Sequence, residues 1–182
     1  MSKQGILSYR VERELTSQNL TALSGLAPYV ELMVGCGLLE SIRGNVGVCG
    51  EQGWTDAETV MSLVLLNLAG GDCIDDLDHL NADKGFVKLL KWCANHGLAR
   101  RVRREMKRRW RKGKTRGVVS PSVARRWLGA FHDESQEKLR VSGKALIPKA
   151  NEALLGLRRV NWDFVGWVQG ASSQLMATLD LD

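Results

Sequence analysis

The stretch "TDAETVMSLVLLNLAGG", residues 55–71, decides the fold of this 182-residue chain. Its first four residues match a capping box, in which Thr55 caps the amide of Glu58 and the Glu58 side chain reaches back. The run that follows, through Leu68, is almost uniformly apolar and ends at a glycine pair, as helices often do. We therefore predict a helix over 55–68 that is buried on nearly all sides and forms the centre of the core.

Shorter apolar segments with helical spacing flank this helix. Upstream, two short helices are expected within 20–42, with a break near Gly35 and Gly37, followed by a loop over 43–53 that holds four glycines. Downstream, we predict helices over 73–80 (with Asp72 as its N-cap), 86–92 and 98–110, a basic flexible loop over 112–117, and helices within 120–134 and over 153–169. Only "QLMATLDLD", residues 174–182, alternates like a strand.

The composition limits the class of protein. No apolar run approaches the ~18 to 20 residues of a membrane span, and the first residues lack the apolar stretch of a signal peptide. Four irregularly spaced cysteines in such a chain are expected to be reduced thiols. We therefore expect a cytoplasmic protein without a membrane partner.

The net charge of +6 conceals a strong asymmetry along the chain. Between Arg100 and Arg126 lie 13 of the 26 basic residues but one of the 20 acidic ones, so the remaining chain is mildly acidic. Such a concentration of one sign favours a polyanionic partner, because the like charges repel one another until a polyanion neutralises them. A membrane surface would require a broader apolar face than Leu98, Val102, Met106 and Trp110 offer.

A helix that opens with Ser120, Pro121 and Ser122 and exposes Arg125 and Arg126 is similar to the second helix of a helix-turn-helix. The alternative interpretation is an ordinary amphipathic helix with a solvated basic face. Taken with the charge cluster, the pattern predicts double-stranded DNA as the partner, and the candidate DNA-binding residues are Arg100, Arg101, Arg103, Arg104, Lys107, Arg108, Arg109, Arg111, Lys112, Lys114, Arg116, Ser120, Ser122, Arg125 and Arg126.

Other chemistry-bearing patterns are weaker. The acids around 72–78 with His79 scatter around a helix rather than converge on a metal, and early acids favour the helix dipole. Cys93 and His96 lack a second ligand pair of matching spacing for zinc. His132 beside Asp133 has no nucleophile that the sequence can place near it.

Three blocks together resemble one family. The segments 53–83 and 120–134 and the closing "ATLDLD" are similar, in this order, to the N-terminal part of bacterial insertion-sequence transposases of the group-1 DDE type. The resemblance covers most of 20–182 and is weakest over 93–119, so the DNA-contacting role of the basic stretch rests on its charge. It implies a mainly α, multi-helix DNA-binding and assembly domain with a helix-turn-helix-like element, followed by the first β-strand of a truncated ribonuclease-H-like α/β domain.

The resemblance also implies the domain limits and the catalytic residues. The expected divisions are a flexible N-terminus (1–19), the helical domain (20–170) and the first catalytic-domain strand (171–182). Asp182 matches the first acid of the Asp-Asp-Glu triad, with Asp180 as second choice; both side chains lie on one strand face, so either remains open. Asp182 would then be a metal ligand, for Mg²⁺ or Mn²⁺ in a full-length transposase, where two metals activate the nucleophile and stabilise the leaving oxygen. For this chain by itself no metal cofactor is expected. No second or third acid can be placed, so we expect the chain to stop at the threshold of a catalytic domain.

Three classes of function therefore remain. The first is the DNA-binding part of a transposase, acting on insertion-sequence ends as a homodimer or paired with full-length subunits, and catalytically incomplete by itself. The second is a stand-alone DNA-binding repressor, or a decayed interaction fragment, without enzymatic activity. The third is an unrelated helical protein that binds RNA, which two tyrosines and three phenylalanines equip poorly for base stacking.

Overall fold

The computed structural model describes residues 21–94, 98–110 and 114–171, which form nine α-helices and two 3₁₀ turns and contain no strand. The 3₁₀ turns Ser24–Leu26 and Ile74–Asp76 precede the first and fourth helices. The mainly helical fold class is confirmed, whereas the strand predicted over 174–182 lies outside the described residues. The helices are α1 (Ala27–Gly35), α2 (Leu38–Asn45), α3 (Asp56–Leu68), α4 (Leu77–Ala82), α5 (Lys84–Cys93), α6 (Arg100–Arg108), α7 (Pro121–Gly129), α8 (Glu134–Glu137) and α9 (Glu152–Ala171).

Helix α3 begins with the predicted capping box. The amide of Glu58 donates to Thr55 Oγ1 at 3.2 Å, and the amide of Thr55 donates to Glu58 Oε2 at 3.0 Å. These two bonds satisfy amides that the first turn of a helix leaves without partners.

The burial of α3 is less complete than predicted. Ala57, Met61, Leu65 and Leu66 are buried, but the side that carries Val60, Leu63 and Val64 is only half-buried, and Leu68 is exposed. The expectation of burial on nearly all sides is therefore wrong. The reason is tertiary: on this side α1, α2 and α9 flank α3 and leave an open groove between them.

Two glycines shape the start of the fold. The predicted break lies at Gly37, whose φ of +71° is the left-handed conformation that favours glycine, and it separates α1 from α2. Helix α2 continues to Asn45, so Gly44 is helical rather than part of the predicted loop. The loop before α3 begins at Val46.

Asp83 is the N-cap of helix α5, and its carboxylate accepts the Phe86 amide at 2.8 Å and the Thr21 hydroxyl at 2.6 Å. Burial alone would raise the pKa of Asp83, but the hydrogen bonds from Thr21 and from backbone amides outweigh it and lower the pKa. This carboxylate therefore ties the start of the described chain to α5.

The predicted capping role of Asp72 is wrong. The carboxylate of Asp76 instead accepts the amides of Asp72 at 2.9 Å and Cys73 at 3.1 Å, so the cap closes from within the turn. The amide of Cys73 is the main reason why the pKa of Asp76 is lowered. Leu77 and Leu80 are buried as predicted.

The segment from 114 to 120 lies against the core, whereas the sequence predicted a flexible loop over 112–117. Val118 and Val119 are wholly buried. Asn81 Oδ1 accepts the amides of Gly117 and Val118 at 3.1 and 3.2 Å, and Asn81 Nδ2 donates to the Val118 carbonyl. The end of the predicted loop, at Gly117, and the valine that follows it are therefore held by hydrogen bonds from their backbone to the side chain of Asn81 in α4.

Helix α7 begins as predicted, with Ser120 as N-cap and Pro121 in the first turn. It buries Trp127, whose indole Nε1 donates to the buried carboxylate of Asp56 at 2.7 Å. The amide of Cys49 donates to the same carboxylate. Leu128, predicted on the inner face, is exposed.

Helix α9 closes the second part of the core, in which Val160 packs with Ile42 and Trp127. The helix backbone approaches α2 so closely that a Cβ on Gly156 would lie 2.2 Å from the carbonyl oxygen of Asn45. The short helix α8, which the sequence analysis did not predict, lies between α7 and α9.

No single helix of the described residues is long and apolar enough to cross a membrane. Within the part of the chain that the structure describes, one pair, Ser24–Gly35 with Leu38–Asn45, is long and apolar enough when taken together, and its two segments are bent by 57° relative to each other.

Candidate nucleic-acid interface

The basic helix α6 rests on the rest of the molecule by a narrow apolar edge. None of its residues is buried; Val102 is exposed and Met106 is half-buried. Just beyond the helix, the ring of Trp110 meets that of Trp54 edge to face, with centroids 5.1 Å apart. This contact fixes the end of the helix and leaves its basic side towards solvent.

Five cations of α6 make no side-chain hydrogen bond or ion pair with any other described residue. Arg100, Arg104 and Arg108 are four residues apart and therefore share one side of the helix, with Arg103 and Lys107 on the adjoining strip. All five are exposed. Over nine residues the helix is about 13 Å long, so this is a dense linear array of positive charge.

Arg101 is the exception on α6. Its Nε donates to Glu105 at 3.1 Å, one helical turn away, and both side chains are largely exposed. An exposed pair of this spacing is worth only about 0.3–0.5 kcal/mol, so Arg101 remains available to another anion.

Arg109, the next cation along the chain, is turned into the body of the protein. Its guanidinium donates to the backbone carbonyl oxygens of Gly50, Gly53 and Trp54 at 2.6, 3.0 and 3.3 Å. The amide of Gly53 donates back to the Arg109 carbonyl at 2.9 Å. Arg109 therefore fastens the glycine-containing loop to the end of α6.

Lys114 is likewise engaged inside the fold. Its ammonium lies 2.6 Å from Glu58 Oε1, and the two side chains are 18% and 8% exposed. The same ammonium lies 4.3 Å from the centroid of the Trp54 ring, a cation–π arrangement. Glu58 thus serves both as the N-terminal cap of α3 and as the partner of Lys114.

Two further arginines, one in the connection and one in α7, pair with acidic side chains. Arg116 pairs with Asp78 at 2.7 Å, and Arg125 pairs with Asp75 at 2.6 Å. The acids belong to the 3₁₀ turn and α4, which lie more than 35 residues away in sequence. The fold therefore sets an acidic segment beside the cations of α7, and this lowers the local positive charge.

The start of α7 presents two small hydroxyl groups. Ser120 Oγ accepts the Val123 amide at 3.4 Å and lies 3.1 Å from Ser122 Oγ. Arg126 is exposed and lines a groove of about 400 Å³ together with the loop that Arg109 fastens. Unlike its neighbour Arg125, Arg126 forms no ion pair within the described residues.

Four of the predicted site residues lie outside the described residues: Arg111, Lys112, Asp180 and Asp182. The two aspartates and the metal that they would hold therefore stay predictions. Within 21–94, 98–110 and 114–171, no three His, Cys, Asp or Glu side chains are grouped as a metal ion would require.

The sequence did not predict the partners of the basic residues. These partners separate the cations that are paired within the fold from those that have no partner among the described residues. Glu58 was recognised as a cap but not as an ion-pair partner, and Asp75 and Asp78 were read only as helix-dipole acids. Backbone carbonyls of the loop 50–54 carry no sequence signal at all. The contacts became visible only when the chain was folded.

No protein-family model matches the chain, and no curated protein or solved structure shows significant similarity to it.

Proposed function

We propose that this chain binds double-stranded DNA through the exposed face of α6, as the DNA-binding and assembly part of an insertion-sequence transposase of the DDE type. The observation that carries the DNA part is the state of the α6 cations. Five of them are exposed and have no partner among the described residues, whereas Arg109, Lys114, Arg116 and Arg125 are paired within the fold.

Five cations that have no partner among the described residues, along about 13 Å of helix, suit the phosphate backbone of a duplex. Phosphates bound in such an array release counterions, and this release supplies most of the sequence-independent affinity. Single-stranded RNA would require exposed aromatic platforms, and the aromatic residue next to α6, Trp110, is packed against Trp54. The arrangement therefore supports a duplex more than single-stranded RNA.

Helix α7 is the second element of the proposed interface. Its N-terminus, Ser120, Ser122 and the unpaired Arg126 would reach phosphates or base edges. Twelve residues separate the end of α6 from the start of α7, compared with about three or four in the turn of a helix-turn-helix. The helix-turn-helix-like element is therefore proposed for α7 as a DNA-facing helix, without α6 as its tightly linked partner.

The transposase part of the proposal is supported by the sequence resemblance of 53–83, 120–134 and the closing residues. On this basis the duplex is the terminal repeat of an insertion sequence, the location is the cytoplasm, and the protein acts as a pair or together with a full-length transposase. Arg109 and Lys114 are assigned to structural roles, and the DNA-contacting set centres on α6 and Arg126.

A binding titration across a salt series tests the proposal. The purified chain would be titrated into a labelled duplex that carries the terminal repeat, and into a scrambled duplex of equal length, between about 50 and 200 mM salt. If the five unpaired α6 cations each neutralise one phosphate, the logarithm of the affinity falls against the logarithm of salt with a slope of about −4.5. Preference for the repeat over the scrambled duplex supports the transposase assignment.

Equal and steeply salt-dependent affinity for both duplexes would retain the DNA interface and overturn the assignment to insertion-sequence ends. Affinity that does not change with salt, or no binding at 50 mM salt, would overturn the DNA interface itself. Reversing two charges on α6, in Arg104→Glu/Arg108→Glu, should weaken binding. The matched control is Arg158→Glu/Arg159→Glu on α9, which changes the net charge equally at exposed positions outside the proposed interface.

A further inference from the structure

Helix α9 carries an apolar face beyond the part that it buries. Phe164, Trp167 and Val168 follow Val160 at steps of four, seven and eight, and therefore continue the face that Val160 presents to the core. Val160 is 5% exposed, whereas Trp167 is 41% exposed and Val168 similarly so. Phe164 and Trp167 stack with centroids 6.5 Å apart. The last two turns of α9 thus form an apolar ridge.

A groove of about 410 Å³ lies directly beside this ridge, and Phe164 lines it. Its walls come from α1, α2, α3 and α9 and include the exposed side chains Tyr29, Leu32 and Leu68. No charged side chain is present among the described residues that line it. A phosphate or another anion would lose its hydration there without a compensating partner, so the groove suits an apolar protein surface.

The ridge and the groove lie side by side on one molecule, and this arrangement is self-complementary. In a two-fold symmetric dimer each subunit presents the same patch, so the ridge of one copy can enter the groove of the other and the reverse. A patch on another protein would need to match both features, whereas a second copy supplies both by symmetry. We propose that a second copy of this chain docks on this face, with Trp167 of each copy in the groove of the other.

The exposed area is sufficient for a stable pair. Tyr29, Leu32, Leu68, Trp167 and Val168 are each exposed by two-fifths or more. Side chains of this size, up to 150–250 Å² for the aromatic ones, then offer about 400 Å² of apolar surface per copy, or about 800 Å² for two. Homodimer interfaces are about 65% apolar, so the whole interface would be about 1,200 Å², the lower limit for a specific complex.

This inference deepens the pairing part of the proposed function, but it does not depend on DNA. Formation of the pair is therefore measured without DNA, and failure of one proposal leaves the other intact. If the DNA titration fails and the dimer still forms, only the DNA proposal falls.

Sedimentation velocity of the whole chain between about 1 and 100 µM, with no DNA present, tests the interface. The wild-type chain is expected to shift from monomer to dimer within this range. Trp167→Glu places a charge in the apolar contact and should raise the dimer dissociation constant roughly thirtyfold or more. Leu32→Glu, on the groove wall contributed by α1, should have the same effect from the opposite side of the contact.

Trp162→Glu is the matched control, because it makes the same substitution on the same helix. Trp162 is 75% exposed and lies two residues from Val160 and from Phe164, on the opposite side of α9. This variant should dimerise like the wild type, and far-UV circular dichroism should give the same helix content for all four proteins. A wild-type chain that stays monomeric at 100 µM overturns the proposal. This holds irrespective of whether segment 172–182 occupies the groove. Equal loss of the dimer in Trp162→Glu and Trp167→Glu also overturns it.

Discussion

The basic segment consists of two regions that look alike in sequence and differ in the fold. From Arg100 to Arg108 the cations stand on an exposed helix, and one of six, Arg101, has an ion-pair partner among the described residues. From Arg109 to Arg125 every described cation is engaged: Arg109 by loop carbonyls, Lys114 by Glu58, Arg116 and Arg125 by aspartates. The difference shows that the sequence gives only the number of cations in a basic stretch. The fold decides which of these cations a ligand can reach.

The physical reason lies in desolvation. A charge that enters the body must meet an opposite charge or several dipoles, because it loses water that stabilised it by many kcal/mol. Lys114 and Arg109 meet this requirement and hence hold the connection between α6 and α7 against α3 and its preceding loop. The α6 cations keep their water, and a polyanion can replace it at low cost.

The largest effect is expected where a buried charge loses its partner. Lys114→Met should destabilise the fold by about 3 kcal/mol, because the mostly buried Glu58 carboxylate is left with only its capping bonds. Chemical denaturation measures this difference. The double variant Glu58→Gln/Lys114→Met should recover most of the loss, and Lys138→Met, at an exposed position, should change stability by less than about 0.5 kcal/mol. An unchanged midpoint in Lys114→Met would mean that the two regions do not differ as described.

The second effect concerns DNA and should leave stability unchanged. Arg104→Glu/Arg108→Glu reverses two unpaired cations, and we expect about a hundredfold loss of duplex affinity at moderate salt. The free energy of unfolding should stay within about 0.5 kcal/mol of wild type, since neither side chain has a partner in the described structure. Fluorescence anisotropy gives the affinity, with Arg158→Glu/Arg159→Glu as the control of equal charge. If both double variants lose the same amount of duplex affinity, α6 contributes only through the net charge of the protein and is not a specific interface.

A smaller change should come from releasing a paired cation. Asp75→Asn removes the partner of Arg125, which then becomes available to phosphate beside Arg126. We expect the duplex affinity to rise about two- to threefold, with a steeper salt dependence. Glu134→Gln removes one negative charge from an exposed site elsewhere and should have a weaker effect. A fall in affinity for Asp75→Asn would instead indicate that the pair positions α7 for DNA.

The smallest effect concerns the alkylation rate of Cys49, which lies in the loop that Arg109 holds. Burial, followed by the nearby Asp56 carboxylate, raises the pKa of Cys49 to about 11. At pH 8 about a thousandth of this thiol is therefore thiolate, the reactive form, and alkylation should accelerate nearly tenfold per pH unit towards pH 10. Cys73 is exposed and should be alkylated first. Arg109→Ala, which releases the loop, should speed alkylation of Cys49 a few-fold, because it reduces burial, the main cause of the raised pKa, and this outweighs the loss of the Arg109 charge, which lowers that pKa. Peptide mass spectrometry measures the rate; an unchanged or slower rate would show that the Arg109 contacts do not protect Cys49.

Local signals in the sequence were good guides to helix starts. Thr55 and Glu58 specified a capping box, and Ser120 with Pro121 specified the start of α7, because these bonds join residues within one turn. The break at Gly37 was equally local. Asp72 was assigned the cap that Asp76 provides, since several acids compete in that turn and sequence order does not show which carboxylate faces the free amides.

Long-range placement was not predictable in this way. Val118 and Val119 directly follow the basic loop predicted over 112–117. Their backbone can be buried because Asn81 Oδ1 accepts the Val118 amide and Ser62 Oγ accepts the Val119 amide. The exposed side of α3 could not be anticipated either, because an apolar helix gives no sign of whether its neighbours close over it. For the candidate interface, the sequence located the basic segment. It did not show which of the cations are paired within the fold and which are not.

The sequence by itself determined the helical class, most helix starts and the position of the basic segment, since all three follow from interactions between residues a few positions apart. The tertiary structure alone decided which of the described cations have no partner, which apolar face stays uncovered, and that Arg116 and Arg125 pair with Asp78 and Asp75. Those outcomes depend on contacts between residues far apart in sequence, such as the ion pairs of Arg116, Arg125 and Lys114, which span 38, 50 and 56 positions. The free energies of such contacts appear only when the chain has folded and water has been excluded.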